Sequence, residues 1–119
     1  MDWKLNGSEP VYLQIMDHFR RAILTGIYPA GSRIPAVRDL AVEAKVNPNT
    51  MQRALSELER EGLLISHGTM GRYVTDNQLI LEALKQRQRE KTIRLCRRQL
   101  ADVGLTLAQA AAITYEEEE

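Results

Sequence analysis

In the stretch VNPNTMQRALSELEREGLL, Val46 to Leu64, side chains able to hydrogen-bond a base edge crowd around the start of one helical pattern. Asn49 and Gln52 can pair bidentately with adenine. Arg53 can read guanine or grip a phosphate, and the methyl group of Thr50 can pack on thymine. The turn before them suits their presentation. Asn47 is a good N-cap and Pro48 a good first helical residue, so the helix entry is rigid, polar and free of bulky apolar groups. Met51, Ala54, Leu55 and Leu58 recur at helical spacing and mark the opposite face as the one facing a core. The free N–H groups of a helix start also attract phosphate. Taken alone, the same residues better suit an ordinary capped helix on a solvated surface, so the neighbouring elements must decide.

Those elements follow from periodicity and breakers. Tyr12, Ile15, Met16, Phe19, Ala22 and Ile23 lie at helical spacing, with Pro10 in the first turn and Gly26 at the stop. IYPAGSRIP reads as a loop. A short second helix opens at Pro35 and carries Val37, Leu40, Ala41 and Ala44 inward. The third helix starts in PNTMQ and stops at Gly62. Two β-prone runs, Leu63–Ser66 and Arg72–Thr75, flank a tip with Gly68 and Gly71 and predict a hairpin. A long helix over about Leu79 to Val103 follows, ended by Gly104. Thr106 and Gln109 form a capping-box pattern for a last short helix, and the acidic tail is expected to fray. Two helices joined by a tight turn and followed by a hairpin make a helix-turn-helix with a wing. The predicted class is mainly α with a small β-hairpin: a winged helix-turn-helix domain over residues 1–76, then a short helical segment with an acidic tail over 77–119.

Bulk composition sets limits. The 119 residues suit one compact domain with a small appendage, and the 5% aromatic content makes the core aliphatic. Cys96 is the single cysteine, so no internal disulfide forms, which fits a reducing cytoplasm. No apolar run approaches the roughly 18 residues of a membrane span, and MDWKLNGSEP has no signal-peptide character. A cytoplasmic protein without membrane association is expected. The net charge of zero conceals asymmetry, because Glu116 to Glu119 offset 16 basic groups against 12 acidic ones in the rest. Lys85 to Arg98 holds seven basic residues and one acid. That run reads as a solvated face or as extra phosphate contacts.

The stretch over about residues 10–76 resembles the N-terminal winged-helix domain of GntR-family bacterial transcription regulators. The motifs that carry the likeness are PAGSRIPAVRDLA, VNPNT and EREGLL with HGTMGRYV. The NPNT-x-QRA form with a short tail after the wing is similar to the YtrA-type branch, in which a helical C-terminus serves dimerisation. The resemblance implies a sequence-specific regulator of double-stranded DNA, read here as a repressor though an activator stays open. A two-fold homodimer on a palindromic operator is expected because one winged helix reads only a few base pairs. It places DNA contacts at Arg38, at the start of the third helix including Thr50, and at the wing tip on His67 and Gly68. Arg72 supplies a further donor on the wing. Where some members carry arginines this chain has Pro48 and Gln52, which implies a site richer in A·T contacts. Leu79, Leu84, Ile93, Cys96, Leu100 and Val103 are the expected dimerisation residues.

Other candidates weigh less. His18 stands alone without a second ligand in reach by sequence and suits packing or the surface. Cys96 falls in an a/d-like pattern and suits an interface better than a redox sensor. No phosphate loop, metal-ligand spacing or nucleophile–histidine pair occurs, so neither enzyme activity, nor a metal, nor a cofactor is implied. Nothing in the chain specifies a small-molecule effector. The competing class is a winged-helix protein-interaction module, whose recognition helix would show an exposed apolar face; here that face carries Asn49, Gln52, Arg53 and Ser56.

Overall fold

The structure, a computed structural model, describes residues 2–118. Five helices and one hairpin follow in order: α1 (Val11–Leu24), α2 (Val37–Ala44), α3 (Pro48–Arg60), β1 (Leu64–Ser66), β2 (Arg72–Val74), α4 (Gln78–Ala101) and α5 (Leu107–Glu118). A single 3-10 turn, Gly68–Met70, forms the tip of the hairpin. The expected helix-turn-helix and wing are therefore present.

Local chemistry explains the boundaries. Asn47 Oδ1 accepts the Asn49 N–H at 2.8 Å, with Pro48 as the first helical residue, so α3 starts where the polar turn predicts. Asn77 Oδ1 accepts from Leu79 N at 3.0 Å and starts α4. The capping box of α5 forms reciprocally. Thr106 N donates to Gln109 Oε1 at 2.9 Å, and Gln109 N donates to Thr106 Oγ1 at 3.2 Å. α5 continues into the acidic run as far as Glu118, where fraying is expected from composition. The last residue of that run, Glu119, lies outside the described residues.

Packing divides the chain into a unit ending at Glu82 and a second from Ala83 onward. The first extends beyond residue 76 because the opening turn of α4 belongs to it. Gly62, at φ +81°, lets the Ile80 side chain approach closely; a Cβ there would sit 3.1 Å from Ile80 Cδ1. The core of this unit is aliphatic apart from Phe19. Ile15 and Phe19 of α1, Leu40 of α2, and Met51, Leu55 and Leu58 of α3 are wholly buried, as is Leu63. Residues before α1 lie over it. Trp3 stacks on His18 at 4.0 Å between ring centroids, and Gln14 Nε2 donates to the carbonyls of Asn6 and Glu9 at 2.7 and 2.8 Å. His18 thus has the packing role. Burial, helped by the charge of Arg21, holds its pKa below the ordinary value.

One segment differs from its composition. Gly31 to Ile34, a loop by its proline and glycine content, lies along the free edge of β2. Gly31 N donates to Val74 O, Val74 N to Ser32 O and Ile34 N to Arg72 O, all between 2.8 and 3.0 Å. β1 covers the other edge in antiparallel register, Leu64 with Val74 and Ser66 with Arg72. An uncovered strand edge is a row of unpaired donors and acceptors, and this loop satisfies it.

The second unit offers little for its helices to bury. Ile93, Leu95 and Ile113 are close to half exposed, and Val103 is 70% exposed. Two expectations need correction. Leu84 is 1% exposed within one chain, so it belongs to the packing of a single subunit and offers no free surface to a partner. The long helix α4 also stops at Ala101, two residues short of the expected bound at Val103.

The turn between α2 and α3 carries a strain that a substitution can read. Lys45 has φ +58° and ψ +46°, the left-handed region, and is the one non-glycine residue with positive φ among the described residues. Its side chain is exposed. Lys45→Gly is expected to raise the unfolding free energy by about 0.5–1 kcal/mol, whereas the β-branched Lys45→Val lowers it by about 1 kcal/mol or more. Urea titrations with unchanged slopes check both signs.

Candidate nucleic-acid interface

The site begins with the orientation of α3. Met51, Ala54, Leu55 and Leu58 are completely buried, which pins the rotation of the helix and turns Asn47, Pro48, Asn49, Gln52 and Arg53 to the outside. Thr50 is half-buried at the edge of that face. Asn47 uses its side-chain oxygen on the cap, so its remaining outward group is the amide nitrogen. Gln52 Nε2 donates to Ser56 Oγ at 3.0 Å, one turn on. That contact is exposed and leaves the amide oxygen to act elsewhere.

Arg53 does not sit where its spacing suggests. Its guanidinium lies over the Tyr12 ring, 3.7 Å from the centroid. This cation–π contact joins α3 to α1. Arg53 therefore points back across the domain and not forward with Asn49 and Gln52. Of the side chains expected at the helix start, Asn49, Thr50 and Gln52 remain on its outer face or edge.

Arg38 is exposed on the first turn of α2. His67, Gly68 and the turn to Met70 are exposed at the wing tip. The His67 ring meets Tyr73 edge-on at 4.9 Å, and His67 N donates to Gly71 O at 2.9 Å, which orients the imidazole on the hairpin.

Arg72 has another engagement. Its Nε donates to Glu59 Oε1 in an ion pair, and Ser66 Oγ donates to the same oxygen at 2.8 Å. One carboxylate of α3 thus holds both strands of the wing. Partial burial of Glu59 opposes its ionisation. The hydrogen bonds from Arg72 and Ser66, with the charge of Arg72, outweigh this and hold its pKa below the usual carboxylate value. As a result Arg72 fixes the angle between wing and helix, where sequence reading makes it a free donor.

The structure also brings forward a residue that spacing does not indicate. Arg33, outside every helix and strand, is paired through its backbone with Tyr73 and carries its guanidinium to Gly71 at the wing. The only sequence hint is a basic residue ahead of Pro35. The whole assembly presents hydrogen-bonding side chains on a helix start, a basic shoulder at Arg33 and Arg38, and an exposed two-stranded tip. It can read base edges and grip a polyanion.

Comparison with known proteins agrees with this geometry. Residues 11–74 match bacterial regulatory proteins of the gntR family. The chain is 36% identical over 107 residues to the uncharacterized HTH-type transcriptional regulator YhcF of Bacillus subtilis, spanning 89% of this chain and 88% of that one. It is 40% identical over 71 residues to the HTH-type transcriptional repressor YtrA of the same organism, which is 60% of this chain and 55% of the repressor. A solved GntR family transcriptional regulator from Listeria monocytogenes superposes with a TM-score of 0.82 at 28% identity, covering 94% of this chain and 98% of that one.

The Glu59 junction is testable through pH. Its depressed pKa means that the ionised carboxylate stabilises the fold above the ordinary carboxylate range, and that this contribution is lost as pH falls through the depressed value. Glu59→Gln is expected to cost about 1–2 kcal/mol at neutral pH. The difference from wild type should shrink on acidification, which urea unfolding at a series of pH values measures. A gap that stays constant into strong acid would contradict the assignment.

Proposed function

The chain belongs to the gntR family of bacterial regulatory proteins, and from that premise we propose that it represses transcription by binding a palindromic operator as a homodimer. It is a transcriptional regulator with a DNA-binding helix-turn-helix, and not an enzyme. The observation that carries this reading is the outward start of α3, where Asn49 and Gln52 are exposed and Thr50 is half-buried at the edge of a helix locked by its buried face. In this reading that end enters the major groove, Asn47 and the first-turn N–H groups face the backbone, and Arg38 grips a phosphate. The tip at His67 and Gly68 lies at the minor groove, where a narrow groove favours cations.

Dimerisation is supported by the second unit. Ile93, Leu95, Cys96, Ile113 and Tyr115 leave apolar surface exposed that a single chain does not cover. Leu100 is half-buried on the same helix as Ile93 and Cys96. Leu79, in the first turn of α4, is likewise exposed, at 83%. A two-fold dimer presents two recognition helices and matches an operator of the same symmetry. No helix among the described residues is long and apolar enough to cross a membrane, and an operator-binding role places the protein in the cytoplasm. The resemblance of YtrA, named a repressor, over the DNA-binding part supports repression. The proposed activity requires no cofactor.

Selection from a random-sequence duplex pool, followed by sedimentation of the free and bound protein, tests this reading. A selected site with two-fold symmetry and a dimer at micromolar concentration are expected. A monomer in both states would overturn the dimer. Arg38→Ala should weaken binding to all sequences and flatten the salt dependence by about one unit for each phosphate that Arg38 grips. Gln52→Ala should instead relax preference at one or two base pairs, at a cost of about 1–3 kcal/mol. Arg38→Ala binding like wild type while folded would remove Arg38 from the interface.

A further inference from the structure

We propose that the cleft between the start of α2 and the wing is a binding site for one backbone phosphodiester of the duplex, with Arg33 as its clamp. This rests on the duplex binding proposed above. The cleft is about 260 Å³, and Arg33, Ala36, Ser66, Gly68, Gly71 and Arg72 lie on its walls. Among the described residues no carboxylate lines it. Arg33 and Arg72 therefore line a space that no carboxylate lines, although Arg72 is paired with Glu59.

The two arginines differ in what they have left to give. Arg72 commits its Nε to Glu59. Arg33 takes part in none of the ion pairs among the described residues. Yet it is not a loose surface side chain. Its backbone bridges to Tyr73, and its guanidinium lies across the face of Gly71. A Cβ on Gly71 would stand 2.9 Å from Arg33 Nε and 3.3 Å from Nη2. Gly71 has φ +103°, a conformation that glycine adopts freely. The bare backbone there is the seat on which the guanidinium rests. A pre-positioned planar fork loses less freedom on gripping an oxyanion than a mobile chain does, and phosphate matches its geometry bidentately.

Two further features agree. Ala36, the N-cap of α2, supplies no capping side chain, so the first-turn N–H groups of this eight-residue helix lack a partner from it. Those donors adjoin the cleft through Ala36. Gly68, on the opposite lip, has nothing within 4 Å of where a Cβ would be, so the entrance is open. The position also fits a duplex. A helix reading the major groove and a wing at the neighbouring minor groove are separated by one sugar–phosphate strand, and this cleft lies between the helix-turn-helix and the wing. Arg38 is not on its walls, so the two arginines would hold different phosphates.

The test uses an operator duplex selected by the wild-type protein from a random pool. Single methylphosphonates, which remove one backbone charge each, are placed along both strands. Arg33→Ala is expected to weaken binding on the order of ten-fold, equally for the selected and a scrambled duplex. The slope of log affinity against log salt should fall by about one per subunit. Arg33→Lys should keep the slope. The discriminating result is one phosphate per half-site whose neutralisation weakens the wild-type protein but leaves Arg33→Ala unaffected. Wild-type salt dependence in Arg33→Ala, or full additivity at every phosphate, would overturn the proposal. So would silence at many phosphates together, which is what a loosened wing would give. If the wild-type protein selected no duplex at all, the functional reading would fail first, and this site with it.

Discussion

The N-terminal unit depends on the buried face of α3. Met51, Ala54, Leu55 and Leu58 are removed from solvent against α1, α2 and β1. Each of the three larger side chains contributes about 1.5–3 kcal/mol by its burial. The same packing has a second consequence. A helix held by one stripe has its other stripe assigned, so the packing that stabilises the fold also aims Asn49, Thr50 and Gln52. A rotation of α3 sufficient to redirect those side chains would expose the stripe. The stability of the unit and the orientation of those side chains are thereby coupled through one element.

Around that helix the charged residues divide into two groups. Arg20 pairs with Glu61 and ties α1 to the end of α3. Arg53 covers Tyr12, and Arg72 is joined to Glu59. These side chains hold elements at fixed angles, and Arg53 and Arg72 count as recognition candidates only when judged by residue type. Among the described residues Arg33 and Arg38 remain outside such ion pairs and give the unit its basic shoulder. A zero net charge is no obstacle to binding a polyanion, because the field at the contact surface depends on which charges are near it and uncompensated.

The second unit obeys a different constraint. α4 carries charged residues over most of its length, with Leu84 its one buried residue, and α5 shows exposed Ile113 and Tyr115. Helices of this kind gain little from one chain, since most helical stability in proteins comes from packing an apolar face. Their well-formed caps at Asn77 and Thr106 define where they start, while the surfaces they leave open are those a second subunit can cover.

Locally encoded features were legible in the sequence. The Asn47–Pro48 start of α3, the capping box of Thr106 and Gln109, the glycine stop at Gly62 and the glycine-bearing hairpin tip depend on residues within a few positions of one another, and backbone sterics and hydrogen bonding act at that range. The helix-turn-helix with its wing follows from their order, and Asn49, Thr50 and Gln52 follow from the helical period. Contacts between distant positions were decided only by the tertiary structure: Arg53 on Tyr12, Arg72 on Glu59, the Gly31–Ile34 edge on β2, the burial of Leu84 and the seat of Arg33 on Gly71. An arginine has the same type and nearly the same exposure pattern whether it reads a base, grips a phosphate or braces a hairpin. Its role depends on which ring, carboxylate or bare backbone the packing brings within a few ångströms, and spacing along the chain carries no record of that distance.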